Sequence, residues 1–334
     1  MQAIFAVTVP FFALVLLGWL AARSHALPAS AIPGLNAYVL FFALPCMLFR
    51  FGSSLPLARL ADPALLGIYV VAAVVVIAVT VVLTLRRSGR DSGVDLRDAA
   101  FGALVAAFPN AGFMGVPLLV ALLGDAAAGP VIGAIVVDLV VTSTVCLALA
   151  QAHAHGERSA AESERSALKA GLLALRGAAT NPLPWAIVLG AAFALTRREL
   201  PGPIAQIVRM LGDSATPVAL FTIGAVLWRA GRHAHTRTPI ANYLPVALIK
   251  LLFHPALVFA LGLVARALGA PVADAGLMVL TLTAALPSAS NASLLAERYG
   301  ADNGRIANII LASTALAFVT FSSCAWLFGI GASP

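Results

Sequence analysis

Two stretches of this chain set polar, small and helix-breaking residues inside long apolar runs. The first reads FPNAGFMGVPLL and carries Pro109, Asn110, Gly112, Gly115 and Pro117. The second reads LPSASNASLLAERYG and carries Pro287, Ser288, Ser290, Asn291 and Ser293. Each proline lacks an amide donor and strands the carbonyl four residues earlier. Within hydrocarbon such groups must be satisfied by protein or inside a wet cavity, so a break at this depth marks a lined site. A second half-helix starting near Gly115, and another near Asn291, would present unpaired amides and the positive end of a dipole. That chemistry is non-covalent and suits a carboxylate. The candidate substrate-binding residues are therefore Asn110, Gly115, Pro117, Pro287, Ser288, Ser290 and Asn291.

Three ionisable residues lie inside apolar segments as well. Asp138 is central in one, while Lys250 and His254 stand four apart in another and share a helical face. Intramembrane charges are expensive and normally pair or line a pathway. Asp138 and Lys250 are read as a buried ion pair, a proton-coupling site or substrate contacts. Asp213 is expected to be neutralised by Arg209, one turn earlier. Cys46, Cys146 and Cys324 lie in apolar spans with no ligand spacing, and the two His-Ala-His triplets, His153–His155 and His233–His235, have no companion ligands. No metal and no cofactor is expected. No Ser-His-Asp set or paired carboxylates converge at one depth, so no enzyme is expected either.

The elements that must hold these residues are membrane helices. Hydrophobic residues make up 61% of the chain and charged residues 10%, with a mean hydropathy of +0.97. Globular domains carry roughly 25% charged residues. Ten apolar segments are read at 2–22, 33–51, 63–85, 97–122, 128–150, 181–196, 203–228, 241–268, 273–298 and 304–330. The breaks fall in segments 4 and 9. The net charge of +7 does not point to nucleic acid, because its distribution follows the membrane: loops after segments 1, 3, 5, 7 and 9 hold fourteen basic residues and the other side six. The positive-inside rule then places both termini on the periplasmic side of a bacterial inner membrane.

The second half of the chain repeats the first. Pro10 and Gly18 recur 172 residues later as Pro182 and Gly190, and Ala43, Pro45, Leu48, Phe49 and Gly52 recur at the same offset as Ala215, Pro217, Leu220, Phe221 and Gly224. Around the breaks, Leu118, Leu119 and Gly124 match Leu294, Leu295 and Gly300 at 176. Residues 1–150 form the first five-helix repeat and 180–334 the second. Between them, 151–179 is a polar linker whose part from Ser163 to Arg176 could lie amphipathically on the cytoplasmic surface. An odd number of spans per repeat inverts the second copy. The expected fold is thus all-α, ten transmembrane helices in two inverted repeats, the architecture of secondary transporters with a site at the repeat interface.

At these motifs the chain resembles the auxin efflux carrier family. The resemblance is carried by Pro109, Asn110, Gly115, Pro117, Leu118 and Leu119 in segment 4. In segment 9 it rests on Leu286, Pro287, Ala296, Glu297, Arg298 and Tyr299, in segment 2 on Asn36, Phe42, Ala43, Pro45 and Phe49, and in segment 8 on Lys250 and Pro255. It implies that helices 4 and 9 cross and that Asn110 lines the substrate site. It also implies that helices 1, 2, 6 and 7 form a homodimeric scaffold, against which the remaining helices move as an elevator. Ala292 stands where plant-type members carry a second proline. The acidic sodium ligand of the wider superfamily has no equivalent around Leu286, and aromatic residues near the break are few, chiefly Phe108 and Phe113. These features favour a small organic anion, a monocarboxylate or a malonate- or malate-like dicarboxylate, over an indole.

The function read from the sequence is secondary transport of that anion by alternating access. The alternative is a membrane receptor or regulator that binds a small organic acid without moving it. A channel would need a continuous polar stripe through several helices, which the isolated midplane cluster does not provide.

Overall fold

The computed structural model describes residues 2–54, 62–87, 94–153, 182–196, 200–233, 238–290 and 292–330. Asn291, almost all of the 151–179 linker, and parts of both His-Ala-His triplets lie outside the described residues. Within them the chain is helical, with no strand. In chain order the helices are α1 (Gln2–Arg23), α2 (Ile32–Tyr38), α3 (Leu44–Ser54), α4 (Pro63–Arg87), α5 (Leu96–Ala107), α6 (Val116–Leu123), α7 (Ala128–Val137), α8 (Ser143–His153), α9 (Pro182–Leu195), α10 (Gly202–His233), α11 (Ile240–Leu248), α12 (His254–Ala267), α13 (Asp274–Ala284), α14 (Ala292–Arg298) and α15 (Asn303–Leu327).

Seven helical stretches among the described residues are long and apolar enough to cross a membrane: Ile4–Arg23, Ala29–Ser53, Pro63–Arg87, Asp125–Gln151, Gly202–Arg229, Ile240–Ala267 and Asn303–Leu327. The apolar stretches Ala111–Leu123, Pro182–Leu195 and Asp274–Ala284 are shorter. At 1.5 Å per residue they cover only about 16 to 21 Å of a hydrocarbon core near 30 Å thick. Two of these short stretches belong to the proline-broken segments anticipated from the sequence.

Proline explains the departures from α geometry elsewhere. Five-residue π-helical turns span Val39–Ala43, Ala111–Gly115 and Ile249–Phe253. Each ends two residues before a proline, Pro45, Pro117 or Pro255. A wider turn accommodates the hydrogen bond that the proline cannot donate. The fourth such turn, Asp138–Thr142, has no proline after it. There the Asp138 carbonyl accepts both the Ser143 amide and Ser143 Oγ, the latter at 2.9 Å. Asp138 and Lys250 therefore both sit in widened turns within spans.

Packing is reciprocal between the two halves of the sequence. α1 runs along α10, and α3 runs along α9. A Cβ on Gly18 would collide with the Phe221 carbonyl, and one on Gly224 with the Val15 carbonyl. At the sequence-equivalent contact, a Cβ on Gly190 would collide with the Phe49 carbonyl, and one on Gly52 would come within 2.6 Å of the Ile187 carbonyl. Small residues permit this close approach of backbones, which in lipid replaces hydrophobic driving force as the source of helix association. α4 packs on α5 and α12, α5 on α8, α12 on α13, and α11 on α15.

One expectation is corrected by this packing. Asp213 in α10 pairs with Arg50 of α3, Nη1 to Oδ1 at 2.6 Å, rather than with Arg209. The contact between α3 and α10 brings Arg50 alongside, and the pair is exposed, with side-chain accessibilities of 44% and 62%.

Candidate functional site

The two broken segments meet backbone to backbone. The Asn110 amide donates to the Pro287 carbonyl at 2.8 Å, and the Ala289 amide donates to the Phe108 carbonyl at 3.0 Å. Together these bonds make a short antiparallel bridge between Pro109 and Ser288. Each extended stretch supplies the partners that the other has lost by leaving the helix. In an apolar interior every such group left unmade would cost several kcal/mol.

The stranded carbonyls are also accounted for. Pro109 leaves Val105 O without its usual amide, and Ser288 Oγ donates to it at 2.7 Å. The Ser288 amide, itself displaced from a helical partner, donates to Ser313 Oγ of α15 at 3.2 Å. The Ala284 carbonyl at the end of α13 accepts from Lys250 Nζ at 2.7 Å. Lys250 therefore acts at a helix C-terminus, where a cation complements both the unsatisfied carbonyls and the negative end of the dipole. Its ammonium is also 3.3 Å from His254 Nδ1.

Asp138 has different partners. Tyr69 Oη donates to Oδ2 and Thr142 Oγ1 to Oδ1, each at 3.0 Å. No ion pair within 4.0 Å joins Asp138 and Lys250. Both are fully buried.

Beside the crossing lies a cleft of ≈ 430 Å³. Its floor is the first break, with Phe108, Pro109, Asn110, Gly112 and Phe113; Asp138 and Leu139 flank it, with Ala289 from the second break. Leu40, from the widened turn before α3, and Leu183 of α9 complete the lining. The cleft is thus mostly apolar, with an amide and a carboxylate as its polar side chains. Asn110 is buried, and its side-chain amide makes no hydrogen bond to the described residues. It is free to donate to, and accept from, a bound molecule.

Of the residues singled out in the sequence, Asn110 and Asp138 come together at this cleft. Pro287 and Ser288 form the crossing rather than its lining. Gly115 and Pro117 shape the entry to α6: a Cβ on Gly115 would meet Leu286 Cδ1 at 2.6 Å, so its smallness lets the two breaks approach. Ser290 is buried and its carbonyl accepts from Ser293 Oγ at 3.0 Å. Lys250 stands behind the crossing, and Asn291 lies outside the described residues. The helix-start amides are partly occupied, since those of Met114 and Gly115 both donate to Asn110 O at 3.1 Å. Tyr69, Thr142, Leu40, Leu183 and Ala289 were not singled out, for each is of an ordinary type in an apolar run. Only Thr142, one turn after an intramembrane Asp, carried a local signal.

The half-helices end alike. Gly124 closes α6 with φ +82°, and Gly300 follows α14 with φ +68°. These are conformations that glycine adopts without penalty, and the two residues are the matched pair of the 176-residue register.

Comparison with known proteins identifies a transport family. Residues 3–324 match the family described as membrane transport protein. A protein of Rhizobium meliloti (strain 1021) described as a "Putative malonate transporter" is 29% identical over 336 residues, covering 100% of this chain and 98% of that protein. The "Uncharacterized transporter YfdV" of Escherichia coli (strain K12) is 25% identical over 231 residues, covering 69% of this chain and 68% of that protein. These relationships accord with the resemblance to the auxin efflux carriers seen in the motifs.

Proposed function

This chain belongs to the membrane transport protein family, and we propose that within it the protein is a secondary transporter of small organic anions, monocarboxylates or dicarboxylates of the malonate or malate type. The observation that carries this reading is the cleft at the crossing of the two breaks, with an unengaged Asn110 amide at its floor. Sites of this kind, built on interrupted helices near mid-membrane, are where transporters hold substrate. The Rhizobium relative, similar over nearly its full length, adds malonate as the first compound to test.

The proposed topology is ten crossings in two inverted repeats. Arg305 Nε donates to the Asn242 carbonyl at 2.9 Å, so α11 and α15 begin at one membrane face. The chain leaves that face along α11 and α12, and only α13 and α14 remain to bring it back. Neither is long enough alone, so the pair makes one crossing, interrupted at the break. The reciprocal glycine contacts support the repeat relation, because a pairwise contact and its 172-residue counterpart are both made, as a pseudo-two-fold requires. With an even number of crossings both termini share a side, and the arginine distribution assigns it to the periplasm of an inner membrane.

In the proposed cycle α1, α3, α9 and α10 are the static scaffold of a homodimer, and the crossing is carried by the remaining helices as an elevator. The cleft is lined both by Leu40 and Leu183 of the proposed scaffold and by residues of the break, so sliding of one part along the other would carry an anion without opening a continuous pore. Lys250 holds the end of α13 in both positions. Asp138, at the cleft wall and held by Tyr69 and Thr142, is the proposed coupling carboxylate.

The test is uptake into proteoliposomes of labelled malonate, malate and monocarboxylates, with and without an imposed proton gradient, together with equilibrium binding. Saturable, counterflow-competent uptake of one of these acids is expected. Binding without flux would favour the receptor reading, and neither binding nor flux across the panel would overturn both.

A further inference from the structure

We propose that a second pocket, formed where α4 ends and α11 and α15 begin, binds a phosphate group, furnished by the headgroup of an anionic phospholipid. The pocket spans ≈ 390 Å³, open solvent included, and shares no lining residue with the cleft at the crossing. Its polar lining is Thr84, Arg87, Asn242 and Arg305, and its apolar lining includes Leu83 and Ile249. Among the described residues no carboxylate lines it.

Arg305 is the unusual member. It is 1% exposed, and its guanidinium donates to two backbone carbonyls, Asn242 O and Asp98 O, each at 2.9 Å, and to Thr84 Oγ1 at 3.4 Å. Among the described residues no carboxylate oxygen lies within 4.0 Å of it. A guanidinium has five N–H donors, so these bonds leave two. The nearby carboxylates are committed elsewhere: Asp98 Oδ1 accepts from the Asp302 amide and Asp302 Oδ1 from the Arg305 amide, at 2.8 and 3.0 Å. Their charges act on Arg305 through space, yet among the described residues lining the pocket no carboxylate opposes Arg305 and Arg87. A buried cation without a bonded anion is costly. A phosphate oxygen would supply the opposing charge through short, charge-assisted hydrogen bonds.

Three helix ends converge here, which sets the pocket at the membrane boundary. Arg86 and Arg87 close α4 there, on the side where the sequence gathers its basic residues. Basic pockets between membrane helices at that level suit lipid headgroups. Leu83 and Ile249 add an apolar wall, which an acyl-glycerol body covers and a free phosphate does not.

The purified full chain, delipidated in neutral detergent, would be titrated with phosphatidylglycerol, phosphatidylcholine and inorganic phosphate, and binding read by native mass spectrometry and thermal shift. Phosphatidylglycerol is expected to bind and raise the unfolding midpoint, and phosphatidylcholine not to. Arg87→Gln should weaken phosphatidylglycerol binding about tenfold or more, as loss of a hydrogen bond to a charged group does. Arg86→Gln, also exposed but outside the pocket, should cost no more than the roughly fivefold of one surface charge. Competition by inorganic phosphate with the same dependence on Arg87 would support the phosphate site and assign it to a soluble donor. Equal losses in the two variants, or equal responses to the two lipids, would overturn the proposal.

Discussion

Ser288 Oγ donates to the carbonyl of Val105, the acceptor that Pro109 strands four residues downstream. The serine follows Pro287, so the residue after one proline repairs the damage done by the other, 183 positions away. The return contact is the Asn110 amide on the Pro287 carbonyl. Two interruptions that would each be intolerable alone thus become tolerable as a pair, and the crossing they make fixes Asn110 at the cleft.

Ser288→Ala should therefore act on stability. Leaving Val105 O buried without a donor costs about 1–3 kcal/mol. The expected result is a lower unfolding midpoint in detergent for Ser288→Ala, with Ser288→Thr, which keeps the hydroxyl, closer to the parent. An unchanged midpoint in the alanine variant would mean that water or a rearranged backbone serves Val105.

Asn110→Ala should do the opposite. Its side chain bonds to none of the described residues, so removal leaves no buried partner stranded, while a bound carboxylate loses a donor. Malonate or malate affinity is expected to fall at least about tenfold, with the unfolding midpoint near that of the parent. Parental affinity in a correctly inserted variant would remove Asn110 from the site.

Gly18→Ala and Gly190→Ala place a methyl against the Phe221 and Phe49 carbonyls respectively. Backbone carbonyls cannot rotate away as side chains do, so each variant should lose roughly 1–3 kcal/mol or more. Because the sites are repeat equivalents, the losses should be similar in size, read as the unfolding midpoint or as folded yield after insertion. Tolerance at one site and collapse at the other would argue against a shared packing role. Gly34→Ala, which meets nothing within 4 Å, is the matched control.

Much of this was legible before the structure because its causes are local. Pro109, Pro117 and Pro287 announce broken helices wherever they stand in apolar sequence, and a 172-residue offset shared by Gly18 and Gly190 needs only counting. The role of Lys250 was not legible. Its partner, Ala284 O, is a backbone atom exposed by a break 34 residues later, so no pairing rule for side chains could propose it. Opposite charge suggested Asp138, which acts on Lys250 through space and not by direct contact. Asp213 failed for the same reason in reverse: Arg209 was near in sequence, but packing brought Arg50 nearer in space. Leu40 and Leu183 became cleft residues through tertiary placement alone.

Topology is testable independently of substrate. A reporter fused after Pro334 should be active as alkaline phosphatase and dark as a cytoplasm-dependent fluorophore, given fourteen basic residues on one side against six on the other. The reverse pattern would invert the assignment and move the arginine pocket to the periplasmic face. A fusion at residue 270, after α12, should report the periplasm as well, since α11 and α12 carry the chain away from the Asn242–Arg305 contact.

Asp138 and Lys250 can be separated by a double-mutant cycle. A static ion pair predicts that Asp138→Asn rescues Lys250→Met, because removing both charges leaves neither uncompensated. The observed partners predict otherwise. Lys250→Met strips the cation from the end of α13 and leaves Ala284 O unpaired, at a cost of about 1–3 kcal/mol, and changing Asp138 returns nothing to that carbonyl. The double variant should therefore remain about as unstable as Lys250→Met. Asp138→Asn alone keeps an oxygen for Tyr69 or Thr142 and should fold and bind substrate, yet lose accumulation driven by a proton gradient, measured as uptake with the gradient relative to uptake without it. Recovery of stability in the double variant would restore the ion-pair reading. Gradient-driven uptake that survives Asp138→Asn would take the coupling role from Asp138 and leave it a structural acceptor for Tyr69 and Thr142.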